Sequence, residues 1–178
     1  CKQSIVSWVE TRHKWIIDSA TILFHHGVIP IIATVIETFT KPGDQVGMMT
    51  PVYPPFFNLP TNQKRQITQV TLYEEDRNYT IDYEMLEQTF QDGVKLFILC
   101  NPHNPGGIVW TKDDLQRIVD LAIQYNVLIL SDEIHADLLM KGHAYTPLLT
   151  LPNASKAKII TAIAPTKTFN LAGIQAAM

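Results

Sequence analysis

The sequence predicts an α/β fold, a mainly parallel sheet with helices on both faces. Three observations carry that expectation. The runs "VKLFILC" (94–100), "VLILS" (127–131) and "KIITAIA" (158–164) are continuously apolar, as parallel strands covered on both sides must be. A helical pattern with its own start signal lies between the first two. Strand, helix, strand in that rhythm is the βαβ unit from which parallel sheets are built.

The elements follow in order. Over 4–18, Ile5, Trp8, Val9 and Ile16 share one helical face. Residues 28–40 predict a second helix, apolar on most sides and therefore buried. "KPGD" (41–44) is a turn, "QVGMMT" (45–50) a short buried strand ending at Pro51, and "RQITQVTL" (65–72) a strand with partial alternation. Asp82 is placed to cap a helix running to about Gln91. "NPHNPGG" (101–107) is punctuation made of Asn, Pro and Gly. Thr111 and Asp114 have capping-box spacing, and Leu115, Ile118, Val119, Ala122 and Ile123 follow at helical intervals. There is no internal repeat and no low-complexity segment.

Composition bounds the function. The chain has 178 residues, 46% of them hydrophobic, enough for one sizeable core and one domain. Lys+Arg number 14 against 17 Asp+Glu, a net charge of −3, which gives no reason to expect nucleic acid or a membrane as partner. Two cysteines, Cys1 and Cys100, make no disulfide scaffold, so a reduced, cytoplasmic compartment is expected. The apolar stretch "GVIPIIATVIETF" is short and broken by Pro30, a core helix rather than a membrane span. The chain opens at Cys1 and stops at Met178 inside the helix-like stretch "LAGIQAAM", so we expect part of a longer protein.

In open parallel sheets, ligands sit outside the carboxyl ends of the strands. Asn104, Asp132 and Lys167 all fall at or just past such ends. Singly, each has an ordinary explanation: an Asx-turn before proline, a helix N-cap, an exposed lysine. Together they match what pyridoxal phosphate needs: an amine for its aldehyde, a carboxylate for its ring nitrogen and a donor for its 3-oxygen. Two needs remain, and candidates for both stand upstream. Gly27 in "HHGVIP" opens the apolar helix, whose free N–H groups and dipole suit a phosphate. Tyr53 in "TPVYPPF" is an aromatic ring between prolines, able to lie against a pyridine.

With those residues on the page, the chain resembles the fold-type I pyridoxal-phosphate enzymes of the class I/II aminotransferase superfamily, and within them the cystathionine β-lyase-like C–S lyase branch. The resemblance rests on "GVIP", "FTKPGDQV", "TPVYPPF", "CNPHNPGGIVWT", "SDEIHADL" and "APTKTFNLAG", in the family's order and across most of the chain. It implies that residues 1–178 are part of the large, cofactor-binding domain, without the N-terminal segment and the C-terminal small domain. It implies that Lys167 holds the cofactor's aldehyde and later moves the substrate's α-proton. Asp132 would pair with the ring nitrogen, Asn104 would donate to the 3-oxygen and Tyr53 would stack on the ring. Gly27, Val28 and Ile29 would offer amides to the phosphate. His135 occupies the position where many aminotransferases carry a tyrosine near the 3-oxygen. There are departures. Ala164 replaces a serine that many relatives carry three residues before the lysine, with Thr166 as another hydroxyl nearby. Gln175 replaces a basic residue eight positions after it.

The implied activity is β-elimination from cystathionine or another cysteine S-conjugate, giving a thiol, pyruvate and ammonia. The alternative is amino-group transfer to a 2-oxo acid by the same residues. A non-enzymatic doubly wound domain is the third reading. The full-length protein is expected to be a cytoplasmic homodimer acting on a small amino-acid substrate. The arginine for the substrate carboxylate and the residues lent by a neighbouring subunit lie outside this chain, and residues 1–178 alone are expected to be inactive.

Overall fold

A computed structural model describes residues 1–76 and 78–178. The chain begins with helix α1 (Lys2–His13) and helix α2 (Val28–Phe39), followed by strand β1 (Gln45–Thr50) and helix α3 (Pro55–Asn62). Strand β2 (Gln66–Thr71) leads into a small antiparallel pair, β3 (Tyr73–Glu75) and β4 (Asn78–Thr80), and then into helix α4 (Tyr83–Gln91). Strand β5 (Leu96–Cys100), helix α5 (Lys112–Tyr125) and strand β6 (Leu128–Asp132) form the central βαβ unit. Strand β7 (Lys158–Ala162) precedes a single helical turn, α6 (Pro165–Thr168).

The main sheet has five strands in the order β2-β1-β5-β6-β7, and every pairing is parallel. The apolar runs explain both faces at once, because side chains alternate along a strand. Leu96, Ile98 and Cys100 pack with α2 and α3 through Ile32, Ile36 and Phe56. Phe97 and Leu99 pack on the other face with Leu86 and Phe90 of α4 and with Leu115, Ile118 and Val119 of α5. Helices therefore cover both faces, as the sequence predicts.

Local signals act where they were read. Asp82 accepts the Met85 N–H at the start of α4. Thr111 and Asp114 close a reciprocal capping box on α5. Asn126 ends that helix in the left-handed conformation, φ 57.

Three expectations need correction. The first helix stops at His13 rather than running to 18. Lys14 turns left-handed at φ 57 and the Trp15 N–H reaches back to the Val9 carbonyl, so Trp15 is buried while Ile16 is 83% exposed. The sequence reading assigns no element to the stretch after Tyr53, where Pro54 and Pro55 open α3 in the fixed-φ role proline plays in a first turn. The last strand ends at Ala162 rather than Ala164, and Lys167, past its end as expected, stands inside the helical turn α6.

Gly47 marks the tightest point of the core. A Cβ there would stand 2.8 Å from Cδ2 of its cross-strand partner Phe97, whose ring is fully buried and packed edge-on against Phe90. That ring has nowhere to move. We expect Gly47→Ala to destabilise the fold by about 1–3 kcal/mol, read as a lower urea midpoint at unchanged slope.

Candidate active site

The carboxyl ends of three adjacent strands build the site. Cys100, Asp132 and Ala162 are register partners across β5, β6 and β7, so the chain leaves the sheet at one common edge. Asn104 follows β5 by four residues, and Lys167 follows β7 by five.

The loop after β5 is held by its own bonds. The Asn101 N–H donates to the Asp132 carbonyl at 2.9 Å, and Asn101 Nδ2 donates to Thr146 O at 3.2 Å. The His103 ring, buried edge-on against Trp110, meets Pro51 O at 2.7 Å through Nε2. Trp110 Nε1 donates to Cys100 O at 2.9 Å. The Tyr53 N–H donates to Asn104 O at 3.1 Å, which fixes the Tyr53 loop against the Asn104 loop. The Asn104 side-chain amide has no partner among the described residues and stays available to a ligand.

Asp132 is 5% exposed. Its carboxylate takes one hydrogen bond among the described residues, the Ile134 N–H on Oδ1 at 3.1 Å. Burial pushes its pKa up to about 6, against a small opposing pull from that N–H. His135 is half-buried, and burial, followed by the nearby charge of Lys167, lowers its pKa. Lys167 itself is exposed.

The beginning of α2 joins this edge through the chain's last residues. Ala177 pairs antiparallel with His25, two residues before Gly27, through bonds of 2.8 and 2.9 Å. Met178 exchanges bonds of 2.8 and 2.9 Å with Ile163, just past β7. Residues 177–178 thus stitch the entrance of α2 to the segment that carries Lys167. Gly27 caps α2 at φ 135, a conformation L side chains rarely adopt. The Val28 and Ile29 N–H groups have no acceptor among the described residues and, as first-turn donors, are ready to bind an anion.

These residues fit pyridoxal phosphate by the chemistry of the donor set. A buried carboxylate short of donors calls for a cationic N–H, and a protonated ring nitrogen is one. An amine, a free amide, an aromatic ring and free helix N–H groups complete the list. Ala164 brings no hydroxyl, the Thr166 side chain makes no hydrogen bond among the described residues, and Gln175 is exposed at φ 45. The free amides at Val28 and Ile29 are therefore the phosphate donors this chain offers most directly. A cleft of about 280 Å³ opens beside Asn104 and His135, walled by His103, Leu138, Met140 and His143.

Sequence reasoning missed the polar cluster beneath this edge. Glu133 is 1% exposed and accepts from Ser131 Oγ at 2.7 Å, from the Leu148 N–H at 3.1 Å and from the Tyr145 hydroxyl. Burial pushes its pKa up to about 7, with those three donors pulling the other way. It pins the segment 145–148 under β6. Two acids in succession after an apolar strand, "SDE", were the visible hint. The distant partner Tyr145 left none.

The chain has clear likenesses among known proteins. The family described as "Aminotransferase class I and II" matches residues 1–178. Cystathionine beta-lyase PatB of Bacillus subtilis is 42% identical over 176 residues, 98% of this chain and 46% of that protein. Kynurenine–oxoglutarate transaminase 3 of mouse is 32% identical over 154 residues, 78% of this chain and 32% of that protein. Among solved structures, cystalysin of Treponema denticola, which contains a pyridoxal 5'-phosphate cofactor, superposes with a TM-score of 0.96 at 41% identity, over 99% of this chain and 45% of that one. The chain spans about half the length, or less, of these relatives.

Proposed function

The chain belongs to the aminotransferase class I and II family, and from that premise we propose that residues 1–178 are part of the large domain of a pyridoxal-5'-phosphate-dependent C–S β-lyase. The substrate is cystathionine or a related cysteine S-conjugate. Cystathionine and water give homocysteine, pyruvate and ammonia. One observation carries the reading: Lys167, Asp132 and Asn104 stand at a single sheet edge, with the Asp132 carboxylate buried and short of donors.

When bound, pyridoxal phosphate supplies an aldehyde for amines and an electron-poor ring that stabilises negative charge at the substrate's α-carbon. This chain's residues do the rest. Lys167 Nζ is the amine that would hold the aldehyde and the base that would take a proton from the substrate's Cα. Asp132, 5% exposed, would keep a proton on the ring nitrogen. Asn104 donates to the 3-oxygen from the amide it leaves free, with His135 beside it. Tyr53, partly exposed beside the Asn104 loop, would offer its ring to the pyridine. Gly27, Val28 and Ile29 turn the start of α2 toward the phosphate.

A second reading, amino-group transfer to a 2-oxo acid, is favoured by the match to the mouse transaminase. The same residues serve both. The full-length protein, given cystathionine and no 2-oxo acid, separates them. Continuous release of pyruvate is the expected result, and strict dependence on an added 2-oxo acid would replace the lyase reading with the transaminase one. We further read the full-length protein as a cytoplasmic homodimer. In keeping with this, no helix among the described residues is long and apolar enough to cross a membrane.

A further inference from the structure

One carboxylate outside the proposed cofactor contacts ties the lysine turn to the rest of the domain. Asp137 lies five residues past Asp132, and its side chain is 9% exposed. On Oδ2 it accepts from Thr168 Oγ1 at 2.8 Å and from Trp8 Nε1 at 3.3 Å. On Oδ1 it accepts from Arg12 Nε at 3.2 Å and meets His13 Nε2 at 3.0 Å. Four donors from two elements, α1 and α6, converge on it.

Thr168 is the residue after Lys167 and the last of the four-residue turn α6. A single helical turn has little stability of its own. Lys167 is exposed, so packing does not hold its side chain in place. Around the turn, backbone bonds run from Phe169 to Pro165, Asn170 to Lys167 and Leu171 to Thr166. The Thr168–Asp137 bond is the side-chain bond, among the described residues, that fixes this turn to the segment following Asp132. Phe169, packed against Trp8 with ring centroids 5.1 Å apart, reinforces the same junction.

We propose that Asp137 is a positioning residue: through Thr168 it sets where Lys167 stands relative to Asp132, and α1 holds the Asp137 carboxylate in place. The inference rests on the reading of Lys167 and pyridoxal phosphate given above. Trp8, Arg12 and His13 then have a role beyond packing, because their donors fill the remaining acceptor sites of Asp137 and leave Oδ2 aimed at Thr168. A hydroxyl one residue from the amine, anchored to a buried carboxylate, is the kind of supporting contact on which sub-ångström placement depends.

The test uses the cofactor-free, full-length protein mixed with pyridoxal phosphate. The rate at which the lysine-linked visible absorbance grows is the readout, with borohydride trapping to mark the lysine. Thr168→Val removes one hydroxyl and keeps the shape and every α1 contact. It is expected to slow attachment about tenfold. Asp137→Ala should slow it at least as much, and the double variant no further than Asp137→Ala alone, because both act through one bond. Asp137→Asn, which still presents an oxygen to Thr168, should recover most of the rate. Attachment at the wild-type rate in Thr168→Val would overturn the proposal and leave Asp137 an anchor for α1 only, even if Asp137→Ala failed to fold. If the wild-type protein itself links no cofactor to Lys167, the parent reading falls and this one with it.

Discussion

Lys167→Ala, made in the full-length protein, is expected to lose at least about 10³-fold in pyruvate release from cystathionine, the scale on which a positioned proton-transfer group acts. The reasons are cumulative. The variant loses at once the amine that anchors the aldehyde and the base that takes the Cα proton. Lys158 is at the far end of β7, five residues of extended strand away, and Lys141, the lysine between Met140 and His143 of the cleft wall, is the rival amine that the absorbance readout would expose. The visible absorbance of the lysine-linked cofactor should vanish, while the fold stays intact because Lys167 is exposed and makes no side-chain bond among the described residues. Retention of that absorbance in Lys167→Ala would assign the cofactor to another amine.

Asp132→Asn should give two effects of opposite sign. Turnover falls by about 10²–10³-fold, the usual cost of removing a preorganised charge from a water-excluded site. Stability of the cofactor-free protein rises at neutral pH. Burial raises the Asp132 pKa from 3.8 to about 6, so the folded state holds its proton more tightly than the unfolded state does. The stabilisation this gives is fully present below about pH 4 and is lost as pH rises through about 6. A neutral asparagine has nothing to lose, and its oxygen still accepts the Ile134 N–H. The variant and wild type should therefore melt together near pH 4, and the variant should melt higher at pH 7 to 8. Glu133, with its pKa near 7, contributes a slope of the same sign. It is present in both proteins, so their difference isolates Asp132. Bound cofactor should reverse the order, since a ring N–H⁺ favours the ionised carboxylate. A higher melting temperature for wild type than for the variant in cofactor-free protein at pH 7 would contradict this account.

Much of this was legible along the chain. The runs 94–100 and 127–131 announced buried parallel strands because each is apolar on both alternating faces, and Phe97 and Ile98 pack in opposite directions as such a strand requires, while 158–164 announced the parallel strand β7 but not its partial burial at the sheet's edge. Thr111 and Asp114 announced α5 because their cap is local. Asn104, Asp132 and Lys167 were visible because position relative to strand ends is a property of the sequence, and topology then brought them to one edge. What was illegible depended on distant partners or on one backbone torsion. The end of α1 turns on Lys14 adopting φ 57, which no residue type there demands. Glu133 depends on Tyr145, and Asp137 on Trp8, Arg12, His13 and Thr168, contacts up to 129 residues apart in sequence. The four-residue turn around Lys167 is too short to show a period.

The proposed function stands or falls with Lys167 as the residue that carries the cofactor at the carboxyl edge of the sheet. Borohydride reduction of the cofactor-loaded, full-length protein followed by peptide mass mapping tests it most directly. The account predicts a single reduced pyridoxyl group on the peptide containing "APTKTFN", at Lys167. A label on any other lysine, or no label on a protein saturated with pyridoxal phosphate, would contradict it.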